Sequence, residues 1–113
     1  MRVTLEMSFP FSACFDGEDG ELIAHNYILR LATGEMSRAE EKRIRREIEE
    51  QVIHVMASRD LGKDVSFLRN IPRTEKQILL ALHQTLATIT EPYPILRLAL
   101  ERGNGSVLAL TPS

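Results

Sequence analysis

The sequence predicts a single α+β domain with a mainly antiparallel sheet, in the order two strands, two helices, two strands. Three observations carry this reading. Residues 2–15 alternate between polar and apolar almost without fault. Two middle segments carry apolar residues at helical spacing behind a Ser or Thr cap. Near the end, a Gly/Asn turn joins two short apolar runs.

Size and charge agree with one domain spanning 1–113. The 113 residues are 43% apolar and 27% charged, which suits a globular protein. Fourteen basic against sixteen acidic residues leave a net charge of −2, so no nucleic-acid partner is expected. No apolar run approaches the roughly 20 residues of a membrane helix. The start of the chain alternates instead of pairing a charged head with an apolar block. A cytoplasmic protein with no membrane partner is therefore expected. One cysteine, Cys14, excludes an internal disulfide and multi-cysteine zinc modules. Three histidines, His25, His54 and His83, exclude a histidine-rich metal site.

The first strand, Arg2 to Phe15, sets Val3, Leu5, Met7, Phe9, Phe11, Ala13 and Phe15 on one face. At ~3.3 Å per residue it spans on the order of 45 Å. Pro10 gives up a ladder donor, so a free edge or a bulge is expected there. Asp16 to Gly20 reads as a loop. The second strand, about Glu21 to Thr33, is partly apolar on both faces, so both are expected to be covered.

Ser37 with Glu40 forms a capping box that opens a helix to about Ala57. Ile44, Ile48, Val52 and Val55 make its apolar stripe, and the run Glu40-Glu41-Lys42-Arg43 reads as a solvated face. Ser58 to Pro72 has no clear period, and a loop of that length is more often functional than a plain connector. Thr74 with Gln77 opens a second, more buried helix to about Ala87, with Ile78, Leu79, Leu82 and Leu86 widened by Leu80 and Ala81. Pro92 and Pro94 break the chain. Ile95 to Glu101 and Ser106 to Thr111 are the last strands, joined by the hairpin turn Arg102-Gly103-Asn104-Gly105.

Geometry adds an expectation about assembly. Two very long strands cannot be covered by two helices of ordinary length, and open sheet edges invite pairing. A homo-oligomer follows.

Read together, these elements resemble a known family. Phe9-Pro10-Phe11-Ser12-Ala13-Cys14-Phe15 ends the first strand and His25-Asn26-Tyr27 lies in the second. Pro72-Arg73-Thr74-Glu75-Lys76 opens the second helix, and Leu100-Glu101 precedes the Gly/Asn turn. This order is similar to that of the 6-pyruvoyl-tetrahydropterin and 6-carboxy-tetrahydropterin synthases. The resemblance implies the tunnelling fold (T-fold), ββααββ, with two helices on one face of a four-stranded sheet. It also implies a barrel closed by oligomerisation into trimers or hexamers, with sites between subunits.

The family's zinc-binding histidines correspond to Phe15, Ile23 and His25 here, so only one of three is kept. A catalytic zinc takes three protein ligands. The resemblance therefore implies that zinc, the family's metal, is not a cofactor of this chain. The family's nucleophilic cysteine has no counterpart in the loop before Ile23. Its later Asp and His pair corresponds to Ala57 and Ser58. His54 lies one helical turn before Ser58 and could stand in for that histidine, though it reads most simply as a helix-surface or capping one; His83 reads as a surface or partly buried histidine.

The other half of the family's site is matched. Glu101 holds the position of the glutamate that accepts hydrogen bonds from the pterin's amino-pyrimidine edge. One carboxylate can take two parallel N–H donors in that way. Thr74 and Glu75 match the family's pterin contacts at the second helix, while Arg73 and Lys76 depart from them. Each has a plainer reading: Thr74 as an N-cap, Glu75 as a first-turn acid favoured by the helix dipole, Glu101 as a strand-end surface acid. Two functions stay open. One is a zinc-independent enzyme of pterin metabolism, a lyase or synthase acting on a pterin or purine-like ring, with Glu75 or His25 recruited as base. The other is a non-catalytic homologue that binds a ring or serves in assembly.

Overall fold

The computed structural model describes residues 1–16, 22–57 and 74–112, and the side chains of 15, 16 and 22–25 fall outside that description. The alternating first segment is strand β1, Thr4–Asp16, and the next is β2, Leu22–Gly34. Met7, Phe9, Phe11 and Ala13 are buried, while Glu6, Ser8, Pro10 and Ser12 are exposed. β1 and β2 pair in unbroken antiparallel register from Thr4 opposite Gly34 to Asp16 opposite Leu22. Pro10 lies opposite Ile28 with no bulge. It is tolerated because β1 is an edge strand of a sheet ordered β1-β2-β3-β4. The register shift falls instead between Ala32 and Thr33, where β2 meets β3.

Ser37 Oγ accepts from the Glu40 amide at 3.2 Å and caps α1, Arg38–Ile48. The Glu40 carboxylate pairs with Arg43 Nη2 at 3.1 Å, so the hydroxyl half of the capping box is the part that forms. The helix runs on through a π-helical turn, Glu49–Ile53, into α2, His54–Met56. A π turn holds an extra residue, so the buried stripe slips by one position. Ile53 and Met56 enter the core, and Val55, expected there, is only half-buried. The segment 58–72, read as a functional loop, lies outside the described residues.

Thr74 Oγ1 accepts from the Gln77 amide at 3.2 Å and caps α3, Glu75–Thr90. The helix passes Ala87 because Ile89 and Thr90 are also buried, and it stops just before Glu91-Pro92. Leu80 does not widen the stripe: it lies about 200° around the helix from Ile78, and it stays 37% exposed. Strand β3, Ile95–Arg102, and the short strand β4, Val107–Leu110, complete the sheet. Between them Gly105 has φ +91°, which a side chain would strain.

Both helical segments pack on one sheet face. Leu29, Leu31, Leu98 and Leu100 meet Ile44, Ile48, Leu82 and Leu86 in one core. Each such side chain contributes about 1.5–3 kcal/mol by burial. The opposite face carries Ser8, Ser12, Asn26, Ile28, Arg30 and Glu101, and among the described residues no layer covers it. Among the described residues, then, only one face of β2 is covered, and Ile28 is half-buried. The long axis of the molecule is 45 Å. Among the described residues, no helix is long and apolar enough to cross a membrane.

Candidate functional site

Alternation along β3 separates two neighbouring side chains. Arg102 follows Leu98 and Leu100 onto the helix-covered face, and Glu101 follows Ala99 onto the bare one. Each meets a group of opposite charge.

On the covered face, Arg102 Nε donates to Glu75 Oε1 at 2.8 Å and Oε2 at 3.0 Å, and Arg102 Nη2 also donates to Oε1. Tyr27 Oη donates to Glu75 Oε2 at 3.0 Å. The Tyr27 ring is buried and stacks on Phe11, with centroids 5.5 Å apart. Burial raises the Tyr27 hydroxyl well above the ordinary tyrosine value, and the charge and hydrogen bond of Glu75 add to it. The Arg102 guanidinium is pushed up as well, chiefly by its hydrogen bond to Glu75. Glu75 is the first residue of α3, where a negative charge also meets the helix N-terminus.

On the bare face, Arg30 Nη2 donates to Glu101 Oε2 at 3.0 Å. Its Nη1 donates to Ser8 Oγ at 3.1 Å and stands 3.7 Å from Glu6 Oε1. One guanidinium thus links β1, β2 and β3. Among the described residues, Glu101 Oε1 has no hydrogen-bond partner.

Glu101 borders a concavity of about 620 Å³ on this bare face. Pro10, Ser12, Asn26 and Ile28 line it from β1 and β2 and Gly103 lines it from the turn, and Phe11, Tyr27 and Arg102, of the opposite strand parity, also border it. A Cβ on Gly103 would sit 3.4 Å from the Asn26 carbonyl oxygen, at the edge of ordinary contact, so the turn lies close to β2. Ser12 Oγ donates to Asn26 Oδ1 at 2.6 Å across the strand pair. The site therefore joins an apolar floor, small polar groups and one half-engaged carboxylate. A volume in this range suits a small molecule.

The expected site residues do not all meet in one chain. Glu101 is on the concavity. Thr74 caps α3, and Glu75 is held by Arg102 and Tyr27 on the other side of the sheet. The backbone register sets Phe15 opposite Ile23 and His25 opposite Ala13, so positions 15, 23 and 25 are neighbours in the sheet. Two of these residue types carry no donor atom, and a single imidazole does not make a three-ligand zinc set. Among the described residues, no group of three His, Cys, Asp or Glu could hold a metal ion. His54 is exposed and His83 half-buried. Cys14 is half-buried, opposite Ala24. Ser58 and Arg73 lie outside the described residues.

Sequence reasoning missed Arg30 and Arg102. Arg30 sits among Ile28 and Ala32 on the bare-face parity of β2, and a charge in that row was the available signal. Its partner is 71 residues away and needs the register to be found.

No protein-family description and no curated protein matches the chain by sequence. Its fold does have a match: the structure of Caenorhabditis elegans 6-pyruvoyl tetrahydropterin synthase. That structure aligns with a TM-score of 0.78 over 100% of this chain and 99% of the other, at 18% identity. The four-stranded antiparallel sheet with helices on one face is thus the T-fold.

Proposed function

We propose that this chain is a divergent member of the 6-pyruvoyl/6-carboxy-tetrahydropterin synthase family that binds a pterin or a related purine-like ring through Glu101. The observation that carries this reading is the carboxylate itself. It borders a concavity of about 620 Å³, one of its oxygens is held, and the other has no partner among the described residues. A ring edge with adjacent N–H donors is the complementary group for such a carboxylate.

The chemistry at the ring departs from the family's. That chemistry uses zinc to polarise the substrate side chain and an acid/base pair to move protons. With Phe15, Ile23, Ala57 and Ser58 at the corresponding positions, this chain works without the zinc mechanism. If it catalyses, it does so as a pterin-metabolism lyase or synthase whose base is not the family's. Thr74 and Glu75 enter this reading as supports: one caps α3, and the other ties α3 to the end of β3.

Assembly is part of the proposal. Among the described residues, β1, of 13 residues, and β4, of four, are the outer strands of the sheet. Val107 is 47% exposed beside the bare face. Self-pairing into a trimer or hexamer would cover these features. A second reading, a non-catalytic subunit for binding or assembly, is favoured by the loss of donor atoms at positions 15 and 23. A thermal-shift panel of pterins and purines on the purified protein tests the main reading. Stabilisation by a pterin or a purine is expected. No stabilisation by either class contradicts ring binding and favours the assembly reading. Light scattering reads the oligomer: a monomer contradicts the assembly part.

A further inference from the structure

We infer that Arg30 is the positioning residue of the ring site. It presets the Glu101 carboxylate for a ligand without itself contacting that ligand. The inference rests on the ring-binding reading above and deepens it.

Three observations support it. Arg30 Nη2 holds only Oε2 of Glu101, at 3.0 Å, and leaves Oε1 without a partner among the described residues. The other end of the guanidinium is braced on β1, by Ser8 Oγ at 3.1 Å and by the Glu6 carboxylate at 3.7 Å. The pair is only partly exposed, with 33% of the Arg30 side chain and 25% of the Glu101 side chain accessible.

A free glutamate end at a strand terminus samples several rotamers, and a ligand that needs both oxygens in one plane must freeze them. An ionised carboxylate offers about four lone-pair sites. One guanidinium N–H on Oε2 uses one of them. Oε1 and the remaining site on Oε2 stay available to two parallel donors. The brace to Ser8 and Glu6 fixes the guanidinium, the guanidinium fixes Glu101, and the ordering is done before the ligand arrives. Arg102, the next residue, is anchored on the opposite face by Glu75, which holds the strand end beneath Glu101.

The test is calorimetric titration of unsubstituted pterin into wild type and into the R30M, R30K, E101Q and E101Q/R30M variants, with melting temperatures in parallel. R30M is expected to bind pterin about tenfold more weakly while it still folds. R30K keeps the charge but cannot span Glu101 and Ser8 with one planar fork, so its loss is expected to be smaller, about threefold. In the E101Q background, R30M is expected to change affinity less than twofold, because the group it positions is altered. A merely structural arginine would weaken both backgrounds equally, and that result overturns the inference. R30M and R30K variants that bind as wild type, or tighter, also overturn it. If R30M does not fold, R30K decides alone: a threefold loss supports the positioning role, and wild-type affinity overturns it. E101Q with undiminished affinity, or wild type that binds neither pterin nor any purine, would instead fail the ring-binding reading, whatever the Arg30 variants do.

Discussion

Two glutamate–arginine pairs sit back to back at the end of β3, and they differ in what they leave open. Arg102 takes both oxygens of Glu75, and the Tyr27 hydroxyl also donates to the same carboxylate. Arg30 takes one oxygen of Glu101 and turns its other end to Ser8 and Glu6. The Glu75 side chain is 14% exposed and lies over the core; that of Glu101 is 25% exposed and borders a concavity. The residue types are the same, yet one pair is closed and the other half-open. A closed pair holds the fold together, because its hydrogen-bond capacity is used up. A half-open pair retains capacity that water fills until a ligand or a partner subunit displaces it. Charge alone therefore does not separate a structural acid from a binding one. Unused lone pairs facing a cavity do.

This contrast can be broken from the closed side first. Arg102→Met removes a guanidinium that binds both oxygens of the poorly exposed Glu75 carboxylate. We expect a loss of about 2–3 kcal/mol in folding stability, at the low side of fully buried pairs because Arg102 is partly solvated. Urea denaturation reads it, and an unchanged midpoint would show that the closed pair contributes little. Glu75→Gln keeps the shape and loses the charge, with an expected cost of about 1–2 kcal/mol by the same measurement.

Tyr27→Phe removes one donor to Glu75 and is expected to cost about 1 kcal/mol. The same hydroxyl gives a pH signature. Its folded pKa lies above the unfolded tyrosine value of 10.0, so the folded state holds this proton more tightly. That stability is complete below the unfolded value and declines as pH rises from there toward the folded value. Absorbance of phenolate near 295 nm should contain a late-titrating component that Y27F removes. Were the late component to survive in Y27F, the Tyr27–Glu75 contact would be misassigned. Thr74→Ala is the mildest change, expected to cost about 1 kcal/mol as a lost cap. It should leave pterin affinity intact, and a matching fall in affinity would place Thr74 at the ring after all.

The sequence showed some of this architecture and concealed the rest for physical reasons. β1 was legible because one of its faces is buried, so each odd residue from Met7 to Ala13 had to be apolar. The caps at Ser37 and Thr74 were legible because they act over three residues. The π turn at Glu49–Ile53 was not, because a slip of one position moves the stripe from Val55 to Met56 between two residues that are both apolar. Leu80 looked like core because it is leucine, and the full length of α3 put it on the outer side. At the site, Glu101 was found through the family resemblance, which its place before the Gly/Asn turn helps to carry. Its arginine was not, since nothing local joins residue 30 to residue 101. Glu75 read as a helix-start acid or a ring contact, and its pairing with Arg102 depends on where α3 lands on the sheet.

If Glu101 is the open carboxylate and Glu75 the closed one, their variants must fail in different ways. Titrating unsubstituted pterin into E101Q and E75Q side by side tests this most directly. E101Q is expected to melt like wild type and to bind about 10- to 100-fold more weakly. E75Q is expected to melt earlier and to bind within about threefold of wild type. The reverse pattern, with affinity lost in E75Q and kept in E101Q, would contradict the assignment.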